Sequence, residues 1–319
     1  MRKMLVEMGA LEAPLRDRIA KACARHGFEV CFAETDAQAL PLLGDVEIIL
    51  GASAALAENA PRLRWLCTPT AGINQFAAPG CFAAKDAVLT NSRGAFGVTL
   101  AEHVLMVTLA MLRRLPEYGA LTRARQWRHD LPQRSILGSR IVLLGTGNIG
   151  CETARRLRPF APASIVGVNR GGAHPQGLFD AVVTTQGMDA LLPETDVLIL
   201  SLPGTRETEH LLNAERLPLL PDGALIVNVG RGSAIDTRAL EAELRAGRLR
   251  AALDVFEMEP LPEDSSLWDC PNLLITPHAA GNHTLGHTRA RIVELFLEDF
   301  ENYCADRPLA RQIDLKRGY

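Results

Sequence analysis

Over the first ninety residues, short apolar runs alternate with amphipathic stretches: "MLVEMG", then Leu11 to His26, "FEVCF", Asp36 to Leu43, "VEIIL" and "LRWLCT". Apolar runs of this length have the size of buried strands, and the stretches between them carry apolar residues at helical spacing. Strands separated by helices predict a parallel α/β sheet. A long helical pattern follows from about Thr99 to Tyr118, and its apolar run "VLMVTLAML" lies between Glu102 and His103 on one side and Arg113 and Arg114 on the other. That run is too short for a bilayer span, which needs about 20 apolar residues, and reads as a buried helix. The loop "RARQWRHDLPQRSILGS" leads into a clearer second series: "RIVLLG", "SIVGVN", "AVVTT", "DVLILSLP", "ALIVNVG", "RAALDVF" and "LLITPH". A last helix from Thr288 to Tyr303 is expected to return to the first lobe. With no fixed short repeat and no low-complexity linker, the pattern predicts two α/β lobes joined by short crossings.

Composition narrows the function classes. A chain of 319 residues is long enough for two ordinary domains, and 34 Lys and Arg against 37 Asp and Glu give a formal net charge of −3. That balance lacks the basic excess of a nucleic-acid binder. Seven cysteines without C-x-x-C spacing predict a reduced, cytoplasmic chain. Glu7 interrupts the apolar run of "MRKMLVEMGA" before a signal-peptide core forms, so neither export nor membrane attachment is expected.

The strongest local signal is "RIVLLGTGNIG", where Gly145, Gly147 and Gly150 fall at G-x-G-x-x-G between a strand and a helix, with Asn148 and Ile149 inside the motif. The first glycine allows the tight turn, the second admits a pyrophosphate to backbone N–H groups, and the third lets helix and strand pack closely. A dinucleotide is the ligand this context predicts. About 20 residues further on, an NAD site usually offers a carboxylate to the ribose 2′-hydroxyl. This chain offers Asn169 and then Arg170. A neutral amide beside a guanidinium accepts a 2′-phosphate that a carboxylate would repel, which favours NADP and leaves NAD possible. His174 is a candidate addition to that pocket.

Three later segments carry candidate chemistry. "LIVNVGRGSAID" puts Arg231 just past a buried strand, "ALDVFEMEPLP" puts Glu259 past another, and "LLITPHAAG" puts His278 past a third. Ligands of open α/β sheets sit outside the carboxyl ends of the strands, so the three side chains are expected to share the crevice that the Gly-rich loop faces.

In these segments, and in "LPGTRET" and "PNLLITPHAAG", the sequence resembles the D-isomer-specific 2-hydroxyacid dehydrogenases, a family that includes glyoxylate/hydroxypyruvate reductases and phosphoglycerate dehydrogenases. The resemblance implies a Rossmann cofactor domain over residues 96–286, inserted into a flavodoxin-like substrate domain of residues 1–95 and 287–319, with catalysis in the cleft. It makes Arg231 the substrate-binding arginine, Glu259 the partner of the histidine and His278 the acid/base. It also gives Asp254 to the nicotinamide amide, sets Thr205 beside the cofactor, and offers the backbone N–H groups of Ala71 and Gly72 to the substrate carboxylate.

The chemistry explains the residue types. Reduction of a 2-keto acid delivers hydride to the carbonyl carbon and a proton to its oxygen, and imidazolium gives that proton near neutral pH. A carboxylate on the other ring nitrogen fixes the tautomer. The planar fork of an arginine binds carboxylate and carbonyl oxygens together. The expected reaction is therefore NAD(P)H-dependent reduction of a small 2-keto acid of the glyoxylate or hydroxypyruvate type. Two alternatives stand beside it: a phosphoglycerate dehydrogenase-like enzyme, which would want further basic groups, and a dinucleotide-sensing binding protein.

Three histidines crowd "TPHAAGNHTLGH". No Cys or acidic residue stands at metal-ligand spacing to His283 and His287, so no metal is expected. His283 reads as a bystander at the active-site rim or the cofactor's edge, and His287 as the start of the last helix. Arg93 is read either as a substrate contact or as a solvated hinge charge, and Trp268 as a plug or a pocket wall. The apolar helix from Thr99 is too hydrophobic for a free surface and predicts a homodimer built partly on it.

Overall fold

The computed structural model describes residues 2–76, 80–173, 177–281 and 285–314. The chain divides into two compact units, Met1–Phe96 with His283–Tyr319, and Gly97–Asn282.

The first unit carries β1 (Arg2–Glu7), β2 (Phe28–Ala33), β3 (Ile48–Gly51), β4 (Trp65–Thr68) and β5 (Val88–Asn91) in the order β2-β1-β3-β4-β5, every pairing parallel. This is the flavodoxin-like order. Its helices are α1 (Ala13–Arg25), the short α2 (Asp36–Ala39) and α3 (Ala54–Glu58), and the C-terminal α8 (Gly286–Cys304). Helix α1 starts with a proline in its first turn and buries Leu15, Ile19, Ala22 and Cys23, one face of a 3.6-residue repeat. Helix α8 stacks Phe296 on Trp65 with centroids 5.1 Å apart, and the Trp65 indole N–H donates to Thr90 Oγ1 at 2.9 Å. Strand β5 was not among the strands expected, because its four residues follow a loop rich in small and charged positions.

The second unit carries β6 (Arg140–Leu144), β7 (Ser164–Asn169), β8 (Ala181–Thr184), β9 (Val197–Leu200), β10 (Leu225–Asn228), β11 (Arg250–Leu253) and β12 (Leu273–Ile275). Their order, β12-β11-β10-β9-β6-β7-β8, is parallel throughout and reverses beside β6, as in a Rossmann sheet. Strands β9, β10 and β11 are buried along their whole length, which is why β9 and most of β10 read as apolar runs. The helices are α4 (Gly97–Leu112), α5 (Leu115–Arg123), α6 (Asn148–Leu157) and α7 (Thr237–Arg245).

The single helix expected from Thr99 to Tyr118 is two. Arg114 adopts φ +61°, and Pro116 lies in the first turn of α5, where its missing N–H costs nothing. Helix α4 buries Leu100, Ala101, Val104, Val107, Met111 and Leu112 within its own unit. Its apolar character is thus largely absorbed at home, leaving an outer row of half-buried Leu105, Leu109 and Ala110 with exposed Met106. Among the described residues no helix is long and apolar enough to cross a membrane, and all seven cysteines are free thiols.

Candidate active site

In the second unit the loops that follow β6, β9, β10, β11 and β12 carry the residues singled out by sequence. The glycines of the β6–α6 turn differ in what they permit. Gly145 has φ +103°, and a Cβ there would lie 2.8 Å from Ser201 Oγ. A Cβ on Gly150 would lie 2.0 Å from the Gly145 carbonyl oxygen, so only glycine lets α6 seat against the turn. At Gly147 a Cβ would meet nothing within 4 Å. This open point caps the N-terminus of α6, where unpaired N–H groups and the helix dipole favour an anion. The cradle therefore fits a dinucleotide pyrophosphate.

Asn169 ends β7 with its amide fully engaged. Nδ2 donates to Thr146 Oγ1 at 2.7 Å and to the Ala173 carbonyl at 2.9 Å, while Oδ1 accepts from Gly171 N at 3.1 Å and Gly172 N at 2.6 Å. Its part is to shape this loop without adding a negative charge. Arg170 beside it is exposed. Hydrogen bonds from its own backbone and from Thr205 hold the Glu207 carboxyl below the usual carboxylate range, and Arg170 and Arg206 add to that pull. Thr205 sits in a turn closed by Thr208, whose hydroxyl accepts from Thr205 N at 2.9 Å and donates to the Pro203 carbonyl at 2.7 Å.

Arg231 follows β10 and is held from three sides. Asn228 donates to the Arg231 carbonyl at 3.0 Å and accepts from Gly230 N at 3.0 Å. The Arg231 guanidinium donates to the Gly230 carbonyl at 2.7 Å. The arginine stem packs on Gly204, where an added Cβ would lie 3.3 Å from Cγ. Burial lowers the Arg231 pKa, and the charge of Glu259 works against that fall.

Glu259 serves two loops at once. Its Oε2 is 2.7 Å from His278 Nδ1, and its Oε1 accepts the Phe256 N–H at 2.9 Å. Gly232, next to Arg231, lies so close to Phe256 that a Cβ would sit 1.9 Å from the Phe256 carbonyl carbon. The Arg231 loop and the Glu259 loop are thereby locked together. His278 adopts φ +52°, with its N–H on the Asp254 carbonyl at 2.8 Å, and its side chain is 54% exposed.

Asp254 is tied to the loop that carries His278. Its side chain is 2% exposed, and its carboxylate accepts the Thr276 hydroxyl at 2.6 Å, Ala279 N at 2.9 Å and Ala280 N at 3.1 Å. Its partners are thus the Thr276 hydroxyl and the backbone of the His278 turn.

Three residues that sequence reasoning missed form a clamp. The Thr237 N–H donates to Glu257 Oε2 at 3.0 Å, the Thr237 hydroxyl bonds the same oxygen, and His210 Nε2 lies 2.5 Å from Oε1. His210 in turn gives its backbone N–H to the Ser233 carbonyl at 2.7 Å, so the clamp joins the loops after β9, β10 and β11. The bond to Glu257 raises the His210 pKa. The only sequence signal for it was a second carboxylate two residues before Glu259.

Ala71 and Gly72 belong to the first unit, in the loop after β4. Asn91 Nδ2 donates to the Ala71 carbonyl at 2.7 Å and Thr70 Oγ1 to the Gly72 carbonyl at 2.6 Å. In the same unit Arg93 donates to the Ala310 carbonyl at 2.7 Å, which gives it a structural partner, and His287 lies in the first turn of α8. Trp268 donates to the Pro262 carbonyl at 2.8 Å with its side chain half out in solvent. His174 and His283 lie outside the described residues, among which no group of three or more His, Cys, Asp or Glu could hold a metal ion.

Comparison with known proteins adds four likenesses. Residues 105–280 match the model of the "D-isomer specific 2-hydroxyacid dehydrogenase, NAD binding domain" family. Over 248 residues the chain is 34% identical to glyoxylate/hydroxypyruvate reductase B of Pectobacterium atrosepticum, covering 75% of this chain and 77% of that one. Among solved structures, a D-isomer-specific 2-hydroxyacid dehydrogenase family protein from Aeromonas salmonicida superposes with TM-score 0.86 at 33% identity, covering 98% of this chain and 99% of that one. The NADPH-dependent glyoxylate/hydroxypyruvate reductase of Sinorhizobium meliloti, in complex with NADP and sulfate, does so with TM-score 0.80 at 26% identity over the full length of both.

Proposed function

The chain belongs to the D-isomer-specific 2-hydroxyacid dehydrogenase family, and from that premise we propose that it reduces small 2-keto acids of the glyoxylate and hydroxypyruvate type to D-2-hydroxy acids, preferring NADPH to NADH. Membership makes it an oxidoreductase with a nicotinamide dinucleotide as cofactor. The observation that carries the finer reading is the Glu259–His278 pair, 2.7 Å apart at Nδ1.

When bound, the reduced nicotinamide supplies the hydride. The protein supplies the proton and the orientation. With Nδ1 engaged by Glu259, His278 Nε2 gives its proton to the carbonyl oxygen as that oxygen gains charge, and Glu259 stabilises the ring while it is an imidazolium. Arg231 holds the carboxylate and carbonyl oxygens of the substrate in its fork and stabilises the charge growing on the carbonyl. Gly145 to Gly150 cradle the pyrophosphate at the start of α6. Thr205 lines the cofactor, and Asp254 supports the nicotinamide end by holding the His278 turn.

The preference for NADPH rests on the neutral Asn169 and on Arg170 at the end of β7, with Arg206 near. A cytoplasmic setting accords with seven free thiols. The outer row of α4, with exposed Leu115 and Trp127, is the surface on which we place a homodimer, and light scattering across micromolar concentrations tests it: a monomer throughout refutes the dimer.

Initial rates of reduced-nicotinamide consumption test the activity, with NADPH and NADH each set against glyoxylate, hydroxypyruvate, pyruvate, phenylpyruvate and 3-phosphohydroxypyruvate. Turnover of glyoxylate and hydroxypyruvate with NADPH supports the reading. Preference for the phosphorylated acid moves the assignment to a phosphoglycerate dehydrogenase, and tight NADPH binding without turnover moves it to a sensing protein.

A further inference from the structure

We infer that His103 is a positioning residue for His278: its Nε2–H holds the Thr276 hydroxyl against Asp254, and Asp254 holds the backbone turn that presents the His278 ring.

The bonding order follows from donor counting. Thr276 Oγ1 is 2.6 Å from Asp254 Oδ1 and 3.3 Å from His103 Nε2. A threonine hydroxyl has one proton, and an ionised carboxylate accepts only, so that proton goes to Asp254. Thr276 Oγ1 is then the acceptor toward His103, and His103 carries its proton on Nε2. The imidazole has its side chain 12% exposed, and burial lowers its pKa against the opposing pull of Asp254. His103 is therefore the neutral donor that the hydroxyl needs. A second charge on that ring would instead compete with the turn for Asp254, whose Oδ1 lies 4.0 Å from Nε2.

The consequence reaches the chemistry through one carboxylate. Asp254 Oδ1 accepts from Thr276 and Ala279 N, and Oδ2 from Ala280 N, the two amides that directly follow His278. His278 sits at φ +52°, a left-handed conformation that a non-glycine residue keeps only when its surroundings impose it. The amides on Asp254 and the His278 N–H on the Asp254 carbonyl are those surroundings. If Thr276 loses its donor from His103, the hydroxyl gains a competing rotamer and Asp254 loses a fixed partner. The ring of His278 is then presented over a wider range of angles, a change that costs rate before it costs binding.

Packing alone would make the same contact without the proton, and two variants separate these roles. His103→Gln places an N–H donor near the position of Nε2, whereas His103→Leu fills similar space and donates nothing. The first readout is amide hydrogen exchange at Ala279 and Ala280, which is independent of turnover and of the proposed reaction. We expect exchange at both amides to accelerate on the order of tenfold in His103→Leu and to stay near the wild-type rate in His103→Gln, with the amides of α4 unchanged in both. The second readout rests on the reductase reading: in His103→Leu kcat falls on the order of tenfold with KM for the keto acid nearly unchanged, and His103→Gln restores most of it. Equal exchange at Ala279 and Ala280 in wild type and His103→Leu overturns the inference. So does equal acceleration in the Leu and Gln variants, which would mark a packing role. Altered exchange in a protein that turns over none of the keto acids would retain the positioning role and remove only the proposed reaction.

Discussion

Glu259 holds His278 with one carboxylate oxygen and its own loop with the other, Oε2 standing 2.7 Å from Nδ1 while Oε1 accepts the Phe256 N–H at 2.9 Å. An amide cannot do both, because one of its two ends donates. Glu259→Gln therefore leaves either the ring N–H or the Phe256 N–H facing another donor. The expected result is a fall in kcat on the order of 10²-fold with NADPH affinity nearly unchanged, read from steady-state rates and a fluorescence titration. A wild-type kcat in the variant would mean that the pair has no part in the chemistry.

Arg231 is the next test, because its fork is the feature that a lysine lacks. The stem is wedged on Gly204 and the backbone is pinned by Asn228, so Arg231→Lys keeps the charge in place and removes the paired N–H groups. We predict a loss in kcat/KM on the order of 10²-fold, shared between a higher KM for the keto acid and a lower kcat. A variant that changes KM alone would assign Arg231 to binding without transition-state stabilisation.

The cofactor preference has its own signature. Arg170→Ala should weaken NADPH by about 10- to 100-fold, the worth of one or two charge-assisted hydrogen bonds, and leave NADH within about twofold. Calorimetric titration with both cofactors decides the matter. Equal weakening of both would place Arg170 on a part of the dinucleotide that the two share.

The clamp of His210, Glu257 and Thr237 makes stability depend on pH. The His210 pKa is raised by Glu257, so its contribution is complete below the ordinary value of 6.5 and is lost as pH rises through the raised value. Burial alone would raise the Glu257 pKa, but bonds from Thr237 and His210 reverse that and hold it below its ordinary 4.5. Its contribution is complete above 4.5 and is lost as pH falls through the lowered value. The Tm difference between wild type and Glu257→Gln should accordingly be widest between 4.5 and 6.5 and narrow in alkaline buffer. A difference that does not vary with pH would deny the charge on His210 any role.

Much of this architecture was legible because parallel strands buried on both faces leave unbroken apolar runs. That is how "DVLILSLP" and "ALIVNVG" disclosed β9 and β10. Arg231, Glu259 and His278 were legible for a related reason, since each follows such a run. The break at Arg114 was signalled only by Pro116, because apolar spacing continues through Leu115. For Asp254 and Asn169 the sequence did not disclose the bonds to their own loops. Sequence places a polar group at a strand end but does not tell whether it turns outward to a ligand or inward to its own loop. Both turn inward, and their bonds shape the turns that carry other residues. His103 was visible as a polar residue at the start of the long helix, but its partner was not, because Thr276 is 173 positions away.

The most direct test of the central claim follows NADPH absorbance in the wild type and in His278→Ala, with glyoxylate and hydroxypyruvate as acceptors and NADPH affinity measured in parallel. The account predicts consumption by the wild type and a loss on the order of 10²- to 10⁴-fold in the variant, with the cofactor bound equally well by both. Undiminished consumption by the variant, or none by a wild type that binds NADPH, would contradict it.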